Sequence, residues 1–133
     1  MRRVLITGGA GFIGSHLSEK LLAEGDFEVT ALDCFDDFYD PAVKRRNIAK
    51  CLAGDRYLLI DGDIRDETLM DGVIGEGRFD TIVHIAGRAG VRRSIERPLL
   101  YEDVNVRGTL VILEAMKRHG AKEIVFASSS SVY

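Results

Sequence analysis

The amino-acid sequence predicts an α/β fold in which helices cover both faces of a parallel sheet. Along its 133 residues, five short apolar segments alternate with four segments of helical periodicity. The apolar segments are near-continuous rather than alternating, which is typical of strands buried on both faces. Regular alternation of strands and helices requires right-handed crossovers, so we expect a doubly wound, three-layer arrangement.

The five predicted strands share aliphatic and β-branched side chains. They comprise residues 4–6, 29–32, 57–60, 81–85 and 124–126. In the first predicted helix, Ile13, Leu17 and Leu21 recur every fourth residue, and Gly25 stands at its expected end. Further helices are predicted after Pro41, over about residues 66–74, and over about residues 98–119.

Length and composition limit the kinds of protein to which this chain can belong. The chain suits one domain over residues 1–133, and its net charge of −3 argues against a nucleic-acid partner. We expect no membrane span and no signal peptide, so the expected compartment is the cytoplasm. Cys34 and Cys51 have no metal-ligand spacing, and no metal site is expected. Doubly wound sheets usually continue beyond a fifth strand, so we expect a truncated domain.

A glycine-rich turn joins the first strand to the first helix. Gly9, Gly11 and Gly14 satisfy the pattern GxGxxG, and Gly8, Gly11 and Gly14 satisfy GxxGxxG. Such glycines permit a tight turn and close approach of the backbone to a pyrophosphate at the helix N-terminus. Asp33 ends the second predicted strand, where a carboxylate can accept both hydroxyls of an adenosine ribose. The alternative is a glycine loop without a ligand.

Two other segments follow predicted strands at the same edge of the sheet. Asp63 comes after the third strand, where it could meet an adenine amino group or act only as a turn carboxylate. Residues 85–90 follow the fourth strand, and their small side chains would let the backbone lie against a cofactor. Together with the glycine-rich turn, these two segments predict a ligand crevice at the strand ends.

Motifs along the whole chain resemble the extended short-chain dehydrogenase/reductase family, within it the NAD-dependent nucleotide-sugar epimerases and dehydratases. The matching segments are residues 7–14, 61–66, 84–87, 105–109 and 128–133. Residues 36–41 and 88–94 further resemble loops of the UDP-glucuronate 4-epimerases. The resemblance implies a Rossmann-type fold and NAD as the cofactor.

The resemblance also implies roles for individual residues. The residues that would hold the pyrophosphate are Gly8, Gly11, Phe12, Ile13 and Gly14. Asp33 would bind the adenosine ribose, and Asp63 and Ile64 would meet adenine. The residues that would line the middle of the cofactor are Ala86, Arg88 and Ala89. Ser129 would be the catalytic serine, whose hydroxyl donates to a sugar oxygen.

The implied activity is epimerisation of a nucleotide sugar at C4, in which NAD⁺ takes a hydride and returns it to the other face. The family's base, the tyrosine of a Tyr-x-x-x-Lys motif, does not occur in these 133 residues, and neither does a substrate domain. We therefore expect this chain alone to be inactive and the intact protein to be a homodimer acting on a UDP sugar. The alternatives are a dehydratase, a decarboxylase, or a non-catalytic NAD-binding module.

We have a specific expectation for each of three further residues. His84 ends a buried strand and is expected to be a hydrogen-bonded core histidine rather than a catalytic one. Gly108 interrupts the longest predicted helix, which suggests close packing at that point. The resemblance places Asn105 near the active site, where it would help to fix the backbone.

Overall fold

The computed structural model describes residues 1–132, and its strands follow the predicted order. Tyr133, the last residue of the 128–133 motif, lies outside the described residues. The strands are β1 (Arg2–Thr7), β2 (Phe27–Asp33), β3 (Tyr57–Asp61), β4 (Thr81–His84) and β5 (Ile124–Phe126). The helices are α1 (Phe12–Glu24), α2 (Pro41–Leu52), α3 (Glu67–Gly77), α4 (Val91–Glu96), α5 (Pro98–Glu102) and α6 (Gly108–His119). A π-helical segment (Asp103–Arg107) joins α5 to α6, and a short 3-10 turn (Ser130–Val132) follows β5.

All five strands pair in parallel, in the order β3-β2-β1-β4-β5. The chain winds outward from β1 through β2 to β3, then crosses to the other side of β1 to form β4 and β5. The point of reversal therefore lies between β1 and β4, and a crevice opens there at the carboxyl ends of the strands. The predicted Rossmann-type sheet is confirmed.

Two apolar layers enclose the sheet. On one face, α1 and α2 pack against Val4, Ile6 and Val29 of the central strands. On the other face, α3 and α6 pack against Leu5 and other alternate residues of the same strands. Because β1 contributes successive residues to opposite layers, it has to be apolar at nearly every position, which explains its near-continuous pattern.

Two sequence expectations are corrected. The apolar pattern of β3 predicted burial on both faces, but β3 forms one edge of the sheet and Leu58 is about half exposed. β5 forms the other edge, where Val125 and Phe126 are about half exposed. The helix expected over residues 98–119 contains the π segment, and the separate α4 precedes it. α4 buries none of its residues, so its apolar positions do not mark a face that packs on the sheet.

None of the helices in residues 1–132 combines the length and the apolar character that a bilayer span requires.

Candidate functional site

A crevice with a volume of about 420 Å³ lies at the switch point of the sheet. All eleven residues expected at a cofactor lie along it. They are Gly8, Gly11, Phe12, Ile13, Gly14, Asp33, Asp63, Ile64, Ala86, Arg88 and Ala89. They come from four separate stretches of sequence, which the parallel strands bring to one edge of the sheet.

The glycine turn fits closely against its surroundings. Gly8 has a φ of +71°, and a Cβ on it would lie 2.9 Å from the backbone nitrogen of Ala86. A Cβ on Gly14 would meet the carbonyl oxygen of Gly8 and come within 2.8 Å of the Cα of Gly9. Only hydrogen fits at these positions, so the backbone itself forms this wall of the crevice.

The turn places the N-terminus of α1 at the crevice. Gly11 is the N-cap and has no side chain with which to satisfy the first-turn N–H groups, while Phe12 and Ile13 are exposed. Uncapped N–H groups and the positive end of the helix dipole favour an anionic ligand at this place.

Asp33 is buried beside this turn and holds it in place. Its Oδ2 accepts a hydrogen bond from the backbone nitrogen of Ala10 at 3.1 Å. Its Oδ1 accepts bonds from the backbone nitrogen of Phe35 at 3.0 Å and from the Nζ of Lys44 at 2.8 Å. A carboxylate has about four acceptor positions, so one remains on Oδ2. The sequence suggested a carboxylate free to accept both ribose hydroxyls, whereas this one can accept a single further donor.

Lys44 was not singled out in the sequence, yet its ammonium group is the buried partner of Asp33. It also donates to the Oδ1 of Asp36 at 3.3 Å, and the Oδ2 of Asp36 pairs with Arg88 at 3.1 Å. Burial lowers the pKa of Lys44, but hydrogen bonds and charge from both carboxylates outweigh burial and raise it. The lysine therefore stays charged. This chain of ion pairs connects α2, the loop after β2 and the loop after β4.

Asp63 acts as a turn carboxylate in addition to lining the crevice. Its Oδ1 accepts a bond from the backbone nitrogen of Arg65 at 2.9 Å, and the guanidinium of Arg65 bonds to both carboxylate oxygens. Hydrogen bonds from Arg65 lower the pKa of Asp63, so it is ionised at neutral pH. Arg65 also donates to Asp103 at 2.7 Å, which ties this turn to the π segment.

The neighbouring Ile64 belongs mainly to the core. It is buried, and a Cβ on Gly108 would lie 2.5 Å from its Cδ1, which confirms close packing at Gly108. Asn105, on the π segment, accepts a bond from the backbone nitrogen of Arg88 at 2.7 Å and donates to its carbonyl oxygen at 3.0 Å. Asn105 therefore fixes the backbone of the loop after β4 at the edge of the crevice.

His84 is a hydrogen-bonded core residue, as predicted. Its Nδ1 lies 2.7 Å from the hydroxyl of Thr7, and its Nε2 lies 2.9 Å from the hydroxyl of Thr109. Thr109 donates its own proton to the carbonyl oxygen of Asn105, so it accepts from Nε2–H of a neutral imidazole. Burial lowers the pKa of His84 to about 4.

His84 should make the protein less stable in mild acid. Its pKa is about 4 when folded and about 6.5 when unfolded, so the unfolded state binds the proton more readily. The contribution is fully present above pH 6.5 and falls as the pH drops from 6.5 towards 4, by about 2 kcal/mol at pH 5. Urea unfolding at pH 7.5 and pH 5 should show this loss in the wild type. His84→Gln should show a correspondingly smaller loss, whereas an identical pH dependence would contradict the assignment.

Ser129 lies in the loop after β5. The residue is exposed, and its hydroxyl accepts a hydrogen bond from the backbone nitrogen of Ser131 at 3.1 Å. It is not among the residues that line the crevice, although it follows the carboxyl end of a strand at the same edge of the sheet. Within residues 1–132, no cluster of histidine, cysteine or acidic side chains is placed to hold a metal ion.

A parallel sheet with this strand order and a glycine turn at its switch point defines the class of Rossmann-type proteins. Residues 5–133 match the family model described as GDP-mannose 4,6 dehydratase. The chain belongs to this family, whose members are nucleotide-sugar epimerases and dehydratases of the extended short-chain dehydrogenase/reductase type.

Individual relatives agree with this assignment. The chain is 46% identical over 135 residues to UDP-glucose 4-epimerase 4 of Oryza sativa subsp. japonica, covering 99% of this chain and 36% of the relative. The chain thus spans about a third of the length of the curated relatives it matches.

Two solved structures share the fold. One is UDP-glucuronic acid 4-epimerase from Bacillus cereus in complex with UDP-glucuronic acid and NAD. It has a TM-score of 0.89 and 32% identity, covering 98% of this chain and 41% of that one. The other is dTDP-glucose 4,6-dehydratase from Bacillus anthracis in complex with NAD. It has a TM-score of 0.83 and 26% identity, covering 100% of this chain and 39% of that one.

Proposed function

We propose that this chain is the NAD-binding part of a nucleotide-sugar 4-epimerase of the UDP-glucuronate or UDP-glucose type. The observation that carries the proposal is the glycine turn, where a Cβ at Gly8 or Gly14 would collide with backbone. A cradle of bare backbone at an uncapped helix N-terminus fits a dinucleotide diphosphate. The similarity to epimerases of known structure supports the same conclusion.

NAD, when bound, supplies a reversible acceptor for a hydride from the sugar. The first-turn N–H groups at Phe12 and Ile13 would bind the diphosphate, and the remaining acceptor position of Asp33 would take one ribose hydroxyl. Asp63 and Ile64 would border the adenine. Ala86, Arg88 and Ala89 would lie along the middle of the cofactor, where Asn105 holds the backbone.

Ser129 is the proposed catalytic residue of this segment. Its hydroxyl would donate a hydrogen bond to the sugar oxygen while that oxygen loses its proton and becomes a carbonyl. A serine hydroxyl is a poor base, so a second group has to accept the proton. No Tyr-x-x-x-Lys motif occurs in these 133 residues, so we propose that the base belongs to a longer protein.

The substrate and assembly of that longer protein are also part of the proposal. The Bacillus cereus structure holds UDP-glucuronic acid, which favours a UDP sugar as the substrate. On α6 and the π segment, Val106, Leu110 and Leu113 are exposed at helical spacing, which supports a homodimer formed through this face.

A dehydratase is the second candidate, because the matching family model and the Bacillus anthracis structure are both described as dehydratases. The longer protein, incubated with UDP-glucuronate or UDP-glucose, separates the possibilities by NMR of the product. Inversion at C4 alone supports the epimerase. Loss of water supports the dehydratase, and loss of the carboxyl group as carbon dioxide supports a decarboxylase.

The chain should bind NAD at least tenfold more tightly than NADP, because a 2′-phosphate would lie against the buried carboxylate of Asp33. Calorimetric titration of the 133-residue chain with each dinucleotide measures the ratio. Asp37→Asn, an exposed carboxylate in the same loop, is the control and should leave the ratio unchanged. A preference for NADP would remove Asp33 from the binding site.

A further inference from the structure

Tyr39 has a buried hydroxyl group without an internal hydrogen-bond partner. It lies in the loop between β2 and α2, and among residues 1–132 no atom is placed to bond its hydroxyl oxygen. Buried polar groups in proteins are almost always paired, because leaving one unpaired is unfavourable. An unpaired hydroxyl that borders a crevice therefore indicates a ligand atom.

The hydroxyl lies next to the start of α1. A Cβ built on Gly11 would be 3.8 Å from the hydroxyl oxygen of Tyr39, and Tyr39 lines the same crevice as the glycine turn. Gly11 is the N-cap of α1. The hydroxyl and the uncapped first-turn N–H groups therefore face the same place.

The ring of Tyr39 is held by the ion-pair chain described above. The Nζ of Lys44 lies 5.4 Å from the centre of the ring, and Lys44 is itself fixed by Asp33. Burial raises the pKa of Tyr39, so its hydroxyl keeps its proton at neutral pH and can act as a donor.

The charges around the crevice leave few other groups for an anion. The cations that line it are Lys44, Arg65 and Arg88, and each is already paired with a carboxylate. A diphosphate in this crevice would therefore meet cations whose charge is already partly neutralised, and uncharged donors, namely backbone N–H groups and hydroxyls, become correspondingly more important.

We propose that the hydroxyl of Tyr39 donates a hydrogen bond to the diphosphate of NAD at the N-terminus of α1. This inference rests on the proposed function, since it needs NAD in the crevice. It adds a residue that the glycine pattern does not contain and that belongs to the loop between β2 and α2.

Tyr39→Phe tests the proposal, because it removes only the hydroxyl. Calorimetric titration of the 133-residue chain should show NAD binding at least tenfold weaker in the variant, as expected for a hydrogen bond to a charged group. ADP should weaken to a similar extent. Adenosine, which has no phosphate and can be titrated by NMR, should bind as it does to the wild type. The midpoint of thermal unfolding without ligand should not fall, since no internal bond is lost.

Tyr57→Phe is the matched control. Tyr57 is a second tyrosine with a buried hydroxyl, but it begins β3, at the amino end of the strand, and does not line the crevice. It should leave NAD affinity unchanged.

The possible failures are distinguishable. A wild-type chain that does not bind NAD would contradict the proposed function. A wild type that binds NAD together with a Tyr39→Phe variant that binds it equally well would overturn this inference alone. Equal weakening of adenosine would place the hydroxyl at the nucleoside and would overturn it too.

Discussion

Replacing Gly14 with alanine should eliminate measurable NAD binding and lower the free energy of unfolding by about 2–3 kcal/mol. The added Cβ would meet the carbonyl oxygen of Gly8 and lie 2.8 Å from the Cα of Gly9. Both obstacles are backbone atoms, so the turn itself has to move and its N–H groups lose their alignment. Urea unfolding measures the stability, and calorimetry measures the binding.

Gly72→Ala is the matched control for this substitution. Gly72 lies inside α3, and a Cβ built on it has no neighbour within 4 Å among the described residues. Alanine is the better helix former, so this variant should be up to about 1 kcal/mol more stable and should bind NAD normally. If Gly14→Ala behaved in the same way, the close packing of the glycine turn would not be required for either property.

Asp33→Asn should cost about 3 kcal/mol of stability, because it leaves the ammonium group of Lys44 buried against an uncharged amide. Asp36, the other partner of Lys44, is more exposed and lies farther away at 3.3 Å, so it compensates only in part. The variant should also weaken the hold on Ala10 and thus on the turn that precedes α1. Urea unfolding at pH 7 measures the loss.

The double variant Asp33→Asn/Lys44→Met should recover most of this stability, since it removes the unpaired charge as well. A double-mutant cycle with Lys44→Met then gives the coupling energy of the pair. The exposed pair of Lys20 and Glu24 provides the control, and Glu24→Gln should change stability by less than about 0.5 kcal/mol. A coupling energy near zero would show that Asp33 and Lys44 do not act together.

Much of the fold could be predicted because its signals are local. A strand buried on both faces has to be apolar throughout, as β1 is, and a helix that ends in a left-handed residue favours glycine, as α1 does at Gly25. The edge position of β3 could not be predicted in this way. Its sequence is apolar like those of the central strands, and only the order of pairing leaves it exposed.

The crevice residues were predictable for a related reason. The carboxyl ends of parallel strands meet at one edge, so motifs that follow β1, β2, β3 and β4 have to converge once the topology is known. The partners within the crevice were not predictable. Nothing in the polar helix α2 distinguishes Lys44 from Arg45 or Arg46, and nothing in the loop before it shows that the hydroxyl of Tyr39 reaches Gly11.

The sequence by itself determined the alternation of strands and helices, the glycine turn and the carboxylate that ends β2, because these depend on backbone conformation and burial within a few residues. Only the tertiary structure decided that three of the acceptor positions of the Asp33 carboxylate are occupied by donors of the protein itself. It also decided which cations are already paired and which hydroxyl is left for a ligand. Hydrogen bonds and ion pairs act over a few ångströms between elements far apart in the chain, so they exist only once the sheet has brought those elements together.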